Sequence, residues 1–137
     1  MAVLFCATKE KTREWLMIGY VMVGTNDLDR AVKFYDELLG VIGAKRAMAD
    51  PGRFQGYSNG GPMLAVTKPY DGQPATAGNG TMVALAVGSR ENVDKVHAKA
   101  LSLGGKDEGA PGLRGDSFYG AYFRDLDGNK FVAFHMG

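Results

Sequence analysis

The chain has 137 residues, enough for one compact domain with a real core and short for two. Its 16 Lys and Arg against 15 Asp and Glu give a formal charge of +1, which argues against nucleic acid as a partner, and its apolar runs fall far short of a membrane span. The single cysteine, Cys6, provides neither an intramolecular disulfide nor a thiolate zinc site and suits a reducing cytoplasm.

In residues 1–16, "MAVLFCATKEKTREWL", an apolar run precedes the charges, the reverse of a secretory signal. Two readings stay open for this segment: an extension outside a domain spanning 17–137, or a helix docked through Leu4, Phe5, Trp15 and Leu16. Met17 to Gly24 reads as a strand ending at "TND", where Asn26 or Asp27 can cap a helix. Leu28, Ala31, Val32, Tyr35, Leu38 and Leu39 recur at helical spacing, and Gly40 is placed to end the helix in a left-handed cap. Strands are predicted at 44–49, 54–58 and 62–67, separated by "DPG" and "NGG" turns.

The Gly- and Pro-rich stretch Lys68 to Gly80 has no apolar period and reads as a connection, with 69–79 as linker. After it the pattern restarts: "TMVALAVG" as a strand, Ser89 as a cap, then Val93, Val96, Ala100 and Leu103 as a helical stripe ending at "GG". An offset of 64 places Val23 on Val87 and Leu39 on Leu103, and "GNKFVAF" overlays "GGPMLAV". The expected fold is α+β, with two tandem βαβββ modules (17–68 and 80–137) forming a curved mixed sheet around a cleft.

"IGYVMVGTNDLDRAVKFYDELLG", "MVALAVGSRENVDKVHAKALSLGG", "GAPGLR" and "YFRDLDGNKFVAF" together resemble the vicinal oxygen chelate superfamily of glyoxalase, bleomycin-resistance and extradiol dioxygenase proteins. The resemblance implies that fold, a homodimer, and in metal-using members one divalent ion held by four strand positions. Here those positions fall on Tyr20, Met82, Leu64 (with Ala65 as the alternative) and Val132. A phenol with a pKa of about 10, a thioether and aliphatic side chains replace the usual His and Glu, so the usual metal is expected to be absent.

"DLDGN" (Asp125 to Asn129) lacks the spacing of a calcium loop, with Gly128 fourth rather than sixth, and reads as a turn. His97 and His135 have no catalytic partner nearby in sequence. "GAPGLRG" reads as a loop; by the resemblance it lies at the cleft mouth, where Arg114 can meet an anionic substrate. Tyr57, Tyr119 and Tyr122 either line the cleft or pack within strands, with at least one reaching the pocket. The expected cleft comprises Tyr20, Met22, Leu64, Met82, Ala84, Arg114, Tyr119, Val132 and Phe134, a mostly apolar set. It suits a cytoplasmic protein that binds or sequesters a small apolar or aromatic molecule. The alternatives are a metal-dependent or metal-free lyase or dioxygenase of the glyoxalase type, with Tyr20 the best catalytic candidate, and a structural dimer subunit with a vestigial cleft.

Overall fold

The structure, a computed structural model, describes residues 17–137, so both readings of residues 1–16 lie outside it. β1 (Tyr20–Gly24) leads into α1 (Leu28–Gly40), β2 (Lys45–Asp50), β3 (Phe54–Ser58) and β4 (Met63–Thr67). β5 (Val83–Ala86), α2 (Arg90–Ser102), β6 (Lys106–Arg114), β7 (Phe118–Arg124) and β8 (Lys130–Met136) repeat that order. The strands form two separate four-stranded sheets, ordered β1-β4-β3-β2 and β5-β8-β7-β6. β1 pairs in parallel with β4 and β5 with β8, and all other pairs are antiparallel. The tandem α+β architecture is the expected one, and the sheets are not closed into one another.

Both helices start at side-chain caps. Asp27 accepts from the Arg30 amide at 3.1 Å, and Ser89 accepts from the Asn92 amide at 3.1 Å. Asn26 instead ties down the connection, accepting from the Ala75 amide and donating to its carbonyl. The buried stripe of α1 is Leu28, Ala31, Phe34, Tyr35, Leu38 and Leu39, with the expected Val32 half-buried against the same core. Gly40 stays helical, and the left-handed residue is Gly43, at φ 75°. The intervening Val41 and Ile42 fold back onto the core, which postpones the reversal. "GAPGLR" is strand, not loop: β6 is an outer edge, and its pairing shifts between Gly109 and Gly112, where Pro111 costs no ladder bond.

The caps also correct the repeat. Asp27 and Ser89 open helices of 13 residues each, an offset of 62 that makes Met82 the counterpart of Tyr20. The ladders pair Met22 with Ala65 and Ala84 with Val132, so the counterpart of Val132 is Ala65, not Leu64. Apolar residues recur often enough to match at several offsets, whereas a one-residue slip in a strand exchanges the two faces of the sheet.

The helix-facing sides of both sheets and both helices share a single core that includes Val23, Leu64, Val66, Phe123 and Phe131 beside Phe34, Leu38, Val93 and Val96. At its edge the "DLDGN" turn, with Gly128 at φ 89°, joins the modules. The Asp125 carboxylate, 5% exposed, accepts a short bond from Tyr35 on α1 and bonds from the Asp127 amide (2.9 Å), the Asn129 amide (2.8 Å) and Asn129 Nδ2 (2.8 Å). Asn129 Nδ2 also donates to the Gly24 carbonyl at 2.9 Å. Asp127 receives Thr25 Oγ1 at 2.6 Å, the Asn26 amide at 2.9 Å and Arg30 Nη2 at 3.3 Å, which sets its charge at the positive end of α1. Asp125→Ala leaves several of these buried donors unmatched and should cost about 3 kcal/mol in urea unfolding. A loss within about 1 kcal/mol would show that the turn does not hold the modules together.

Candidate functional site

Strand alternation gives each sheet a helix-covered face and an open face. In the first sheet Val21, Val23, Leu64 and Val66 turn inward, so Tyr20, Met22, Met63 and Ala65, one register step away, stand on the open side. Tyr57 is on the inward side, where its hydroxyl donates to Asp36 Oδ1 at 2.9 Å. Burial and that carboxylate push the Tyr57 phenol well up, which keeps it a donor. Gly56 is required on the open side: a Cβ there would overlap Met63 Sδ and come within 2.9 Å of the Met48 carbonyl oxygen.

The second sheet presents Ala84, Val132, Tyr122, Phe134 and Phe118 on its open side. The rings of Phe118 and Phe134 stack with centroids 5.2 Å apart and planes 4° from parallel. Gly120 between them leaves the room, since a Cβ would come within 2.6 Å of the Phe118 ring. Val132, flanked by Ala84 and Tyr122 in the ladder, is 1% exposed and forms a floor beneath its neighbours.

These placements divide the expected cleft residues. Tyr20, Met22, Met82, Ala84, Val132 and Phe134 share the open sides, as does Tyr122. Leu64 and Tyr119 do not: Leu64 faces α1, and Tyr119 faces α2, where its hydroxyl donates to Asp94 Oδ1 at 2.8 Å. Ala65 is the first-sheet residue that occupies the open position. Tyr20, Met22 and Met82 are 60%, 42% and 44% exposed, so the open faces look outward and do not enclose a cleft within one chain. Between the free edges of β1 and β5 lies an apolar groove of about 460 Å³, lined by Ile18, Val21, Leu39, Ile42, Ala44, Leu64, Val83 and Leu85 among others.

The four positions named by the resemblance therefore present a phenol, a thioether, a methyl group at Ala65 and an isopropyl group at Val132. One oxygen donor among them does not fit a divalent ion of the kind held by His and Glu. Among the described residues no three His, Cys, Asp or Glu gather into an ion site. His97 has a partner that sequence spacing does not reveal: its Nε2 lies 3.0 Å from Asp107 Oδ1, on the helix-covered side of the second module. The Gly109 amide and then His97 hold the Asp107 carboxyl below the usual range. Because α2 and β6 are joined by a short turn, a helix-to-strand pair at a separation of ten residues was the available signal.

Paired βαβββ modules of this kind define a fold class rather than a particular enzyme. The sequence profile of the Glyoxalase/Bleomycin resistance protein/Dioxygenase superfamily matches residues 17–133, and the chain belongs to that superfamily. A glyoxalase/bleomycin resistance protein from Albidiferax ferrireducens T118 is 41% identical, with a TM-score of 0.83 over 89% of this chain and 100% of that one. TioX from Micromonospora sp. ML1 is 21% identical (TM-score 0.63, 89% of this chain and 100% of that one). A lactoylglutathione lyase from Agrobacterium tumefaciens is 20% identical (TM-score 0.66, 88% and 93%). The last two likenesses establish the fold alone. No curated protein matches the chain. Among the described residues no helix is long and apolar enough to cross a membrane.

Gly56→Ala tests the open face of the first sheet. Displacing Met63 while crowding the Met48 carbonyl should cost about 1–3 kcal/mol in chemical unfolding, whereas a neutral effect would show that Met63 does not lie across that strand.

Proposed function

We propose that this protein is a cytoplasmic, metal-free small-molecule binding protein whose complete cleft forms between two copies of the chain. The ligand is small and largely apolar or aromatic. The observation that carries the reading is the composition of the open faces: Tyr20, Met22, Met63 and Ala65 on one, Met82, Ala84, Val132, Phe134 and Phe118 on the other. They offer broad, polarisable apolar contact and no pair of carboxylate, imidazole or thiol groups for acid–base or nucleophilic chemistry.

The edges support pairing of two copies. The outer edges carry charge, "KRAMAD" in β2 and "KDEGAPGLR" in β6, which blunts strand-to-strand association. The other two edges, "YVMVG" in β1 and "VALA" in β5, carry none and flank the apolar groove. A second copy set against β1 and β5 covers that groove and brings an open face of one chain beside an open face of the other, the arrangement that a cleft requires.

Native mass spectrometry of the freshly purified protein should report a dimer that carries a small organic molecule or accepts an added one, without a stoichiometric divalent ion. Ile18→Asp, at a residue 49% exposed beside the groove, should give a folded monomer with ligand binding reduced about tenfold or more. A wild-type monomer at micromolar concentration, or zinc, nickel, manganese or iron retained in the cleft after dialysis, would overturn the proposal.

A further inference from the structure

Positive charge is concentrated around one ring on the open face of the second sheet. Arg114 Cζ lies 5.5 Å from the centroid of Tyr122, and Lys130 Nζ lies 5.7 Å from the same centroid. The Arg114 guanidinium is held in direction by carbonyl oxygens: Nη2 donates to Ala110 at 2.7 Å, and Nη1 to Gly112 at 2.8 Å and Gly120 at 3.3 Å. Those bonds fix it in place without cancelling its charge.

The neighbouring cation is treated differently. Arg124, paired with Lys130 in the β7–β8 ladder, has its Nε 3.3 Å from Glu108 Oε1. Among the described residues no ion pair involves Lys130 or Arg114. Lys130 is half-buried, two residues before Val132 and on the same face of β8, and its ammonium lies over the Tyr122 ring. A chain with a net charge of only +1 thus places two uncompensated cations over one aromatic ring of its candidate cleft.

We infer that the ligand of this cleft is an aromatic anion. Its planar body lies against Ala84, Val132 and the Phe118–Phe134 stack, and its carboxylate, sulfonate or phenolate sits between Lys130 and Arg114. This rests on the small-molecule reading above and narrows it to a charge class. An anion gives the ammonium a charge-assisted hydrogen bond, with the preset guanidinium as the second donor. A neutral aromatic body leaves both cations facing apolar surface, and a cationic one adds repulsion, so the pair discriminates as well as attracts.

The test is fluorescence titration of the intact protein with 8-anilinonaphthalene-1-sulfonate and with its uncharged analogue N-phenyl-1-naphthylamine. The sulfonate should bind about tenfold more tightly. Lys130→Met should remove most of that preference, and Lys130→Arg should retain it. Circular dichroism and the urea midpoint confirm that each variant is folded. Equal binding of the two dyes, or a sulfonate affinity unmoved by Lys130→Met, overturns the inference while leaving the cleft in place. If neither dye binds, the cleft reading and the inference are overturned together.

Discussion

Asp125 carries an ionisable group that is almost entirely withdrawn from water, and the relative placement of the two modules follows from how that charge is accommodated. Desolvating a carboxylate is costly unless its lone pairs are filled. Here two backbone amides of its own turn, the Asn129 amide group and the Tyr35 hydroxyl fill them. Burial and the Asp125 charge raise the Tyr35 phenol well above its ordinary range, so it remains a donor. Tyr35 comes from the first module and the other partners from the second, so the bond cannot be satisfied without docking one module on the other. The helix-covered faces then share one core, and the open faces are directed outward.

That outward direction gives the rest of the molecule its functional character. A sheet that buries one face and exposes the other normally carries polar residues on the exposed side. These open sides instead carry methionine, tyrosine, phenylalanine and small aliphatic residues, with glycine at 56 and 120 where a neighbouring side chain must lie flat. The positions at which metal-using relatives place His and Glu belong to the same surface, and here they continue its apolar character.

Much of this is legible in the sequence. A cap at Asn26 or Asp27, another at Ser89, two helical stripes and a Gly- and Pro-rich connection are enough to recover two βαβββ modules. Errors arose where local pattern is degenerate. Gly40 and Gly43 are both plausible helix ends, and tertiary packing of Val41 and Ile42 selects the second. Pro111 and two glycines conceal β6, because an edge strand with bulges tolerates a composition that a central strand does not. Tyr20 and Val132 stand on the open faces, whereas Leu64 and Tyr119 face the helices, because face depends on register, which one strand alone does not encode. Sequence pattern marks Lys130 only as a strand lysine on the face of Val132. Its meaning depends on Tyr122 and Arg114, which only the ladder brings beside it.

The bonds between the "DLDGN" turn and the start of α1 span 90 to 105 residues of sequence. During synthesis, Tyr35 and the polar groups of Thr25 and Asn26 emerge long before the aspartates that will receive them. The first module must wait in water with its helix start incompletely capped, its inward face lacking a partner, until Asn129 has left the ribosome. The contacts that join the two halves are therefore nonlocal, and forming them carries the entropy of closing a long loop.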